Sequence, residues 1–174
     1  IFRATPQWFL DVDHNDLRDR ILDQLDDVDW IPDRGQNRFE AMIEDRPDWC
    51  LSRQRAWGVP IPAVECDHCS ETVLDDEIID NVIEVTHKDG VSTWFDSDVT
   101  RFVPDGFSCP ECGSDEFTAQ DDILDVWFDS GVSHRAVLQN DEHLQFPADV
   151  YLEGSDQHRG WFQLSMIPAV ALEG

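Results

Sequence analysis

Apolar side chains recur every three or four positions in two stretches of the first fifty residues, which predicts two amphipathic helices. We expect Asn15 to cap the first helix. The breaks at Pro32 and Gly35 separate the two. A short aromatic strand is expected before them, at residues 5–12. The positions assigned to core packing are Leu17, Ile21, Leu22, Leu25, Val28, Phe39, Met42 and Ile43.

The rest of the chain alternates between strand-like and helix-like patterns. Residues 49–62 alternate and end in prolines, which favours a strand, and residues 76–85 carry apolar side chains at helical spacing. From residue 122 onward we predict a strand that contains Trp127, a turn, a loop at 140–147, a second strand at 150–152 and a final helix. Pro168 should kink that helix or end it early. This order indicates an α/β fold.

The charge is strongly one-sided, with 38 acidic residues against 12 basic ones, of which only Lys88 is lysine. Seven Trp and ten Phe are interleaved with the acids, so we expect a folded protein and not a disordered acidic tail. The surface is typical of a halophilic organism, and a surface that binds a basic partner is the alternative. Phosphate binding normally needs a basic patch, and Arg53 with Arg55 is the only one visible.

Location is suggested by what the sequence lacks. No apolar run approaches the ~20 residues of a membrane span, and the first residues have no signal-peptide pattern. Five cysteines, four of them in Cys-x-x-Cys pairs, suit a metal site in a reducing compartment better than a set of disulfides. We therefore expect a cytoplasmic protein that has no membrane contact.

The two Cys-x-x-Cys pairs predict a structural zinc site, because each tight turn brings two thiolates to one tetrahedral ion. Gly113 and the small Ser70 follow the pairs, where the backbone has to turn sharply. His68 is an alternative ligand, although a solvent-facing role is expected for it. The lone Cys50 is expected to be a buried small hydrophobe. The predicted ligands are Cys66, Cys69, Cys109 and Cys112.

The stretch at 151–162, Tyr-Leu-Glu-Gly-Ser-Asp-Gln-His-Arg-Gly-Trp-Phe, is the most informative one in the chain. A strand followed by a polar turn and a helix is where ligands bind in open α/β sheets. This stretch resembles the amino-acid-binding turn of isoleucyl-tRNA synthetases. Trp-Cys-Leu-Ser-Arg-Gln-Arg-Ala-Trp-Gly at 49–58 and Ile-Leu-Asp-Val-Trp-Phe-Asp-Ser-Gly at 123–131 support the likeness, which covers essentially the whole chain.

The resemblance implies an isoleucine pocket. A carboxylate beside a glycine is suited to hold an α-ammonium group, and Glu153 takes that role in the resemblance. Two tryptophans would enclose the aliphatic side chain, and neighbouring polar residues would reach the amino acid or the ribose. Alternatively, Ser155 or Asp156 caps the last helix, and the tryptophans are core residues. The implied substrate-binding residues are Glu153, Gly154, Asp156, Gln157, Trp127 and Trp161.

The resemblance also implies a domain organisation. Residues 1–48 would be the exit segment of an editing insertion, 49–62 a strand of the catalytic body, 63–120 a zinc-binding insertion, and 121–174 a Rossmann catalytic segment with the amino-acid site. The expected architecture is therefore a partial Rossmann-type sheet with a zinc-ribbon-like insertion.

The implied activity is ligation of isoleucine to tRNA(Ile), with ATP and Mg²⁺ in the full-length enzyme, as a monomer. The family's ATP-binding signatures, His-x-Gly-His and Lys-Met-Ser-Lys-Ser, do not occur in this sequence. We therefore expect no adenylation by this segment alone and assign no catalytic residue. A stand-alone zinc-ribbon interaction module is the competing hypothesis.

Overall fold

The computed structural model describes residues 4–173. They fold into two compact units. The first unit comprises the chain up to Ser52 and the chain from Asp125 onward, and the second unit is Arg53–Leu124. The predicted insertion at 63–120 therefore lies within the second unit.

Helices dominate the first unit. A short antiparallel pair, in which Phe9 faces Cys50 and Leu10 faces Trp49, joins its first strand to its second. Turns of 3₁₀ helix occur at His14–Asp16, Leu25–Asp27 and Ser155–His158, and a π-helical turn occurs at His134–Leu138. The regular elements are β1 Phe9–Leu10, α1 Leu17–Gln24, α2 Arg34–Glu44, β2 Trp49–Cys50, α5 Val126–Gly131 and α6 Trp161–Glu173.

The core of the first unit forms around α6, which contacts both α1 and α5. Helix α6 is apolar on most sides, as expected of a helix that is covered by neighbours. The helices of residues 4–48 thus share one core with the C-terminal helix. Its buried members are Leu17, Ile21, Leu25, Phe39, Ile43, Trp49, Leu164, Ile167 and Val170.

Pro168 does not end α6, which continues to Glu173, so an early end was the wrong prediction. A proline has no N–H to donate to the carbonyl four residues earlier, here that of Leu164. Gly131 packs directly against this carbonyl, and a Cβ atom at Gly131 would collide with it. The glycine therefore sets how closely α5 approaches α6.

Three expectations for the N-terminal helices are corrected. Asn15 does not cap α1: it lies in a 3₁₀ turn with φ 51°, and the helix begins at Leu17 without a side-chain cap. Val28 is 43% exposed, because the chain has become extended at that point. Gly35 is no break: it is in the first turn of α2, where a Cβ atom would lie 3.3 Å from the Trp30 ring.

Two predictions near the C-terminus are also corrected: the strand expected from residue 122 is present only at Ile123–Leu124, and the strand expected at 150–152 does not form. Trp127 lies in α5, because the Asp125 side chain accepts the Trp127 N–H at 3.3 Å and caps a helix there. Residues 150–152 form no strand. A strand needs neighbours for its backbone groups, and no strand within residues 4–173 pairs with this segment. Val150 and Leu152 are consequently 74% and 86% exposed.

The second unit contains a three-stranded antiparallel sheet whose central strand is Val64–Cys66. A further pair joins Ser52–Arg53 (β3) to Ile123–Leu124 (β7). The other elements are β4 Val64–Cys66, β5 Thr72–Val73, α3 Asp76–Asp89, α4 Thr93–Asp96, a 3₁₀ turn at Val99–Arg101 and β6 Phe117–Ala119. The buried core consists of Val64, Cys66, Val73, Ile78, Val82, Trp94, Phe102, Cys109 and Phe117.

Helix α3 confirms the prediction at 76–85 and extends it. The Asp75 side chain caps its start by accepting the Glu77 N–H at 2.9 Å, and Gly90, with φ 89°, ends it. Ile78 and Val82 face the core, whereas Ile83 is 60% exposed.

The mixture of helices and small sheets confirms the α/β class. The largest sheet within residues 4–173 has three antiparallel strands, so the Rossmann-type sheet stays an expectation from the family resemblance. In the same residues, every helix is too short or too polar to cross a lipid bilayer.

Candidate metal centre and amino-acid site

The four predicted cysteine ligands meet in the second unit, with all four Sγ atoms within 4.8 Å of one another. The distance is 3.6 Å from Cys66 Sγ to Cys112 Sγ and also 3.6 Å from Cys69 Sγ to Cys109 Sγ. Tetrahedral coordination with metal–sulfur bonds of ~2.3 Å puts the sulfurs about 3.8 Å apart. The group is therefore suited to hold one metal ion.

Each of the two Cys-x-x-Cys pairs forms the same tight turn. The Ser70 N–H donates to the Cys66 carbonyl at 2.9 Å, and the Gly113 N–H donates to the Cys109 carbonyl at 2.8 Å. Ser70 and Gly113 both have positive φ, 59° and 77°, a conformation that favours glycine and small polar residues. The sharp turns expected after each Cys-x-x-Cys pair are confirmed.

One cysteine of each pair belongs to the core of the second unit. Cys66 ends β4 and Cys109 lies in a loop, and both are buried, whereas Cys69 and Cys112 are exposed. The backbone N–H groups of Cys69 and His68 lower the pKa of the Cys66 thiol, whereas burial and the neighbouring thiols raise the pKa of Cys69. A thiolate is the form that binds metal. His68 is outside the cluster.

In the first unit, Trp161 is held rigidly at the start of α6. Its indole Nε1–H donates to the Ser130 carbonyl at 2.9 Å, and its ring stacks on Tyr151 with centroids 4.2 Å apart. Trp127 approaches from α5: its Cη2 atom would lie 3.6 Å from a Cβ atom placed on Gly160. The two predicted tryptophans thus both lie next to Gly160.

The cap of α6 is made by Gln157, and not by Ser155 or Asp156. The Oε1 atom of Gln157 accepts the Trp161 N–H at 2.8 Å. The Nε2 atom of Gln157 donates to Asp156 at 3.2 Å. Asp156 in turn lies against Gly154, where a Cβ atom would be 2.6 Å from its Oδ1 atom. These three residues form one polar turn between Glu153 and the helix.

Glu153 is exposed and lines a cleft of ≈1190 Å³. The cleft wall combines aromatic rings with aliphatic and charged side chains, and its rings include those of Trp30, Phe39, Tyr151, His158 and Phe162. The other five predicted residues do not line it. The structure therefore brings the predicted site residues together in one region, but it divides them between this cleft and the adjacent turn and tryptophans.

His158 is buried at the base of the cleft, enclosed by rings. Its imidazole centroid is 6.0 Å from that of Trp30, 6.3 Å from Phe39 and 5.9 Å from Phe162. Its Nδ1 atom is buried without a hydrogen-bond partner. Burial lowers the pKa of His158, and the nearby charge of Arg38 lowers it further.

Sequence reasoning missed Asp125 and Tyr151. Asp125 is 6% exposed, accepts the Trp49 Nε1–H at 3.0 Å and caps α5, so it positions Trp127. An aspartate two residues before Trp127 was a cap signal that the strand prediction overlooked. No sequence signal marks Tyr151 as the residue that stacks on Trp161.

Comparison with known proteins bears on both units. A family model described as tRNA synthetases class I (I, L, M and V) matches residues 1–174. Isoleucine–tRNA ligases of Petrotoga mobilis and Kosmotoga olearia are each 53% identical, and that of Thermotoga maritima is 52% identical, over the full length of this chain.

The chain spans about a fifth of the length of these curated relatives, 19% in each case. The match runs through both units, which argues against a zinc module unrelated to any enzyme family. The chain belongs to the class I tRNA synthetases of the I, L, M and V group.

Proposed function

We propose that this chain is part of an isoleucine–tRNA ligase, which activates isoleucine with ATP and Mg²⁺ and transfers it to tRNA(Ile). The observation that carries the proposal is 53% identity to isoleucine–tRNA ligases over the whole chain. The segment contributes the isoleucine pocket and a structural zinc site. The ATP-binding signatures are not in this sequence, so the segment alone is inactive in adenylation.

Glu153 binds the α-ammonium group of isoleucine in this proposal. Its carboxylate is exposed and lines the cleft, where it can accept charge-assisted hydrogen bonds from an ammonium group. Holding the ammonium end orients the substrate carboxylate for attack on the α-phosphate of ATP. The contribution of the protein to this step is positioning, and no acid or base from this chain is needed.

Trp127 and Trp161 enclose the isoleucine side chain. Trp161 is suited to this role because the Ser130 carbonyl and the Tyr151 ring fix its indole plane. Gly154, Asp156 and Gln157 complete the site as the turn that links Glu153 to α6. The Gln157 cap keeps Trp161 at the first position of that helix.

The metal is Zn²⁺ with a structural role. Four thiolates satisfy a tetrahedral ion and leave no open position for substrate. The sulfur-only donor set and the sulfur spacing of 3.6 Å support this assignment. We further propose that the enzyme is a cytoplasmic monomer that works at high salt, in keeping with its net charge of −26.

Aminoacylation by the full-length protein that contains this chain tests the proposal. We expect isoleucine to be charged in preference to valine and leucine in molar KCl. Glu153→Gln should lower kcat/KM for isoleucine by about 10- to 100-fold, as loss of one charged hydrogen bond predicts.

Glu142→Gln is the matched control, because Glu142 is an exposed glutamate of the first unit that does not line the cleft. Equal activity of the Glu153→Gln and Glu142→Gln variants would remove Glu153 from the site. Charging of valine or leucine in place of isoleucine would overturn the assigned specificity.

A further inference from the structure

A second pocket of the first unit, of ≈490 Å³, lies between the end of α2 and the start of α6. Three arginines line it, Arg38, Arg46 and Arg159, with one acidic residue, Asp45. The remaining lining residues are Ala41, Met42, Pro47 and Gln163. In a chain with only 12 basic residues, this is a concentrated positive site.

Some arginines of the described chain form ion pairs and others, such as Arg20, Arg34 and the pocket arginines, do not. Arg18, Arg101 and Arg135 each form an ion pair with a carboxylate, at 2.6, 2.5 and 3.0 Å. Within residues 4–173, no carboxylate pairs with any of the three pocket arginines. Acidic residues outnumber basic ones three to one in this chain, yet the pocket has a single carboxylate, that of Asp45, for three guanidinium groups, and it forms no ion pair with them.

Arg46 is the half-buried member of the set and is fixed in place. Its guanidinium donates to the Oε1 atom of Gln163, a buried side chain whose Nε2 donates to the Met42 carbonyl at 3.3 Å. The Arg46 Cζ atom lies 5.8 Å from the centroid of the Trp49 ring. Its Nε atom is buried without a hydrogen-bond partner.

Burial lowers the pKa of Arg46, and the charge of Arg18 lowers it further. Taking a cation out of water without a counter-charge is costly, and a bound anion would offset that cost. Arg38 and Arg159 are exposed, so they can reach such an anion from the pocket rim.

We propose that this pocket binds a backbone phosphate of a polynucleotide, which is the tRNA substrate if the proposed function holds. Guanidinium groups match phosphate oxygens with two parallel hydrogen bonds, and three of them suit one oxyanion. No lining residue of the pocket is aromatic, so it offers no platform for a nucleotide base. A backbone phosphate needs no such platform, whereas tight binding of a free nucleotide does.

The pocket also explains how a chain with a large net negative charge can bind a phosphate. A net charge of −26 repels nucleic acid at long range. Contact with phosphate therefore has to be local, at a cationic site within a Debye length, which is about 8 Å at physiological salt. The sequence suggested only Arg53 with Arg55 for this role. The pocket arginines escape notice because Arg159 is far along the chain from Arg38 and Arg46.

Binding of tRNA to the full-length protein across a series of KCl concentrations tests the proposal. Each of Arg38→Gln and Arg159→Gln should weaken binding about tenfold and lower the slope of log affinity against log salt by about one. Asp45→Asn removes the only acidic group of the pocket and should tighten binding.

Arg101→Gln is the matched control, because it removes the same charge from an exposed arginine of the second unit. Pocket variants whose affinity and salt slope equal those of Arg101→Gln would overturn the proposal. It is also overturned if ATP binding weakens while tRNA binding does not, since the ligand is then a nucleotide.

Arg46→Lys separates a phosphate contact from a folding defect, because it keeps the charge and removes the planar fork. Weaker tRNA binding by a variant whose melting temperature is unchanged supports the contact. Weaker tRNA binding together with a lower melting temperature opposes it. Failure of the wild-type protein to charge isoleucine would instead remove the proposed function, whatever the salt slopes show.

Discussion

The indole N–H of Trp49 donates a hydrogen bond of 3.0 Å to the Oδ2 atom of Asp125, and both residues are at least 94% buried. The other carboxylate oxygen accepts the Trp127 N–H at the start of α5. One side chain therefore satisfies a buried indole and caps a helix. It links the segment before the second unit to the segment after it.

Asp125→Ala should destabilise the first unit by about 2–4 kcal/mol, because the helix cap is lost and the buried indole loses its acceptor. Urea denaturation followed by tryptophan fluorescence measures the change. Trp49→Phe removes the hydrogen bond but leaves the cap. If the two substitutions are fully additive in the double variant, the hydrogen bond between these residues contributes nothing.

Removal of the metal should unfold the second unit before the first. The cysteine cluster holds β4 and the loop around Cys109 together, and a closed thiolate site contributes folding free energy directly. With a chelator present, limited proteolysis should cut within Arg53–Leu124 first, and elemental analysis should find one zinc ion per untreated chain.

Cys109→Ser should reproduce the effect of the chelator. Cys50→Ser is the control, because Cys50 is the one cysteine of the sequence outside the cluster. If residues 53–124 resist proteolysis equally with and without metal, the ion is dispensable for folding.

Acid should destabilise the first unit through His158. Burial, reinforced by Arg38, lowers the pKa of His158 in the folded state below the ordinary value of 6.5. The contribution of neutral His158 to stability is therefore complete above pH 6.5 and is lost as the pH falls through the lowered pKa. The melting temperature, measured between about pH 5 and 7.5, should fall on the acid side.

His158→Gln should reduce the fall of the melting temperature on the acid side of this pH range. His143→Gln serves as its control, since His143 is exposed at the surface of the same unit. If both variants keep the wild-type slope, the acid sensitivity has another origin.

Salt should stabilise this protein more than is usual. With 38 acids and 12 basic residues, the folded surface repels itself, and raising KCl from about 0.1 M to 1 M shortens the Debye length from about 10 Å to 3 Å. The melting temperature should rise across this range. Sucrose serves as the uncharged comparison, and an equal gain in sucrose would argue against charge screening.

The features that depend on residues close together in the sequence were the ones that could be predicted. Each Cys-x-x-Cys turn depends on residues within five positions of each other, so the sequence pattern predicted the turns at Ser70 and Gly113. Trp127 was misplaced because its apolar, aromatic neighbours favour a strand, whereas the Asp125 cap decides for a helix. Residues 150–152 have strand character but no partner strand within the described chain.

Long-range assembly was not predictable from one sequence. Nothing in the pattern places Arg159 beside Arg46, or Tyr151 against Trp161. The close packing of Gly131 against the Leu164 carbonyl, which Pro168 leaves without a helical N–H donor, is likewise visible only in the fold. The predicted isoleucine-binding roles stay predictions until the substitutions above are made.

The Asp125 N–H also donates to the Leu51 carbonyl at 2.6 Å, so the points where the chain leaves and re-enters the first unit are adjacent. For protein engineering, this means that the second unit, Arg53–Leu124, can be deleted as one piece. A short turn can then join the chain ends near Leu51 and Asp125 without distorting the first unit, because closing a short loop costs little entropy. The same adjacency offers a place to graft a different module into this scaffold.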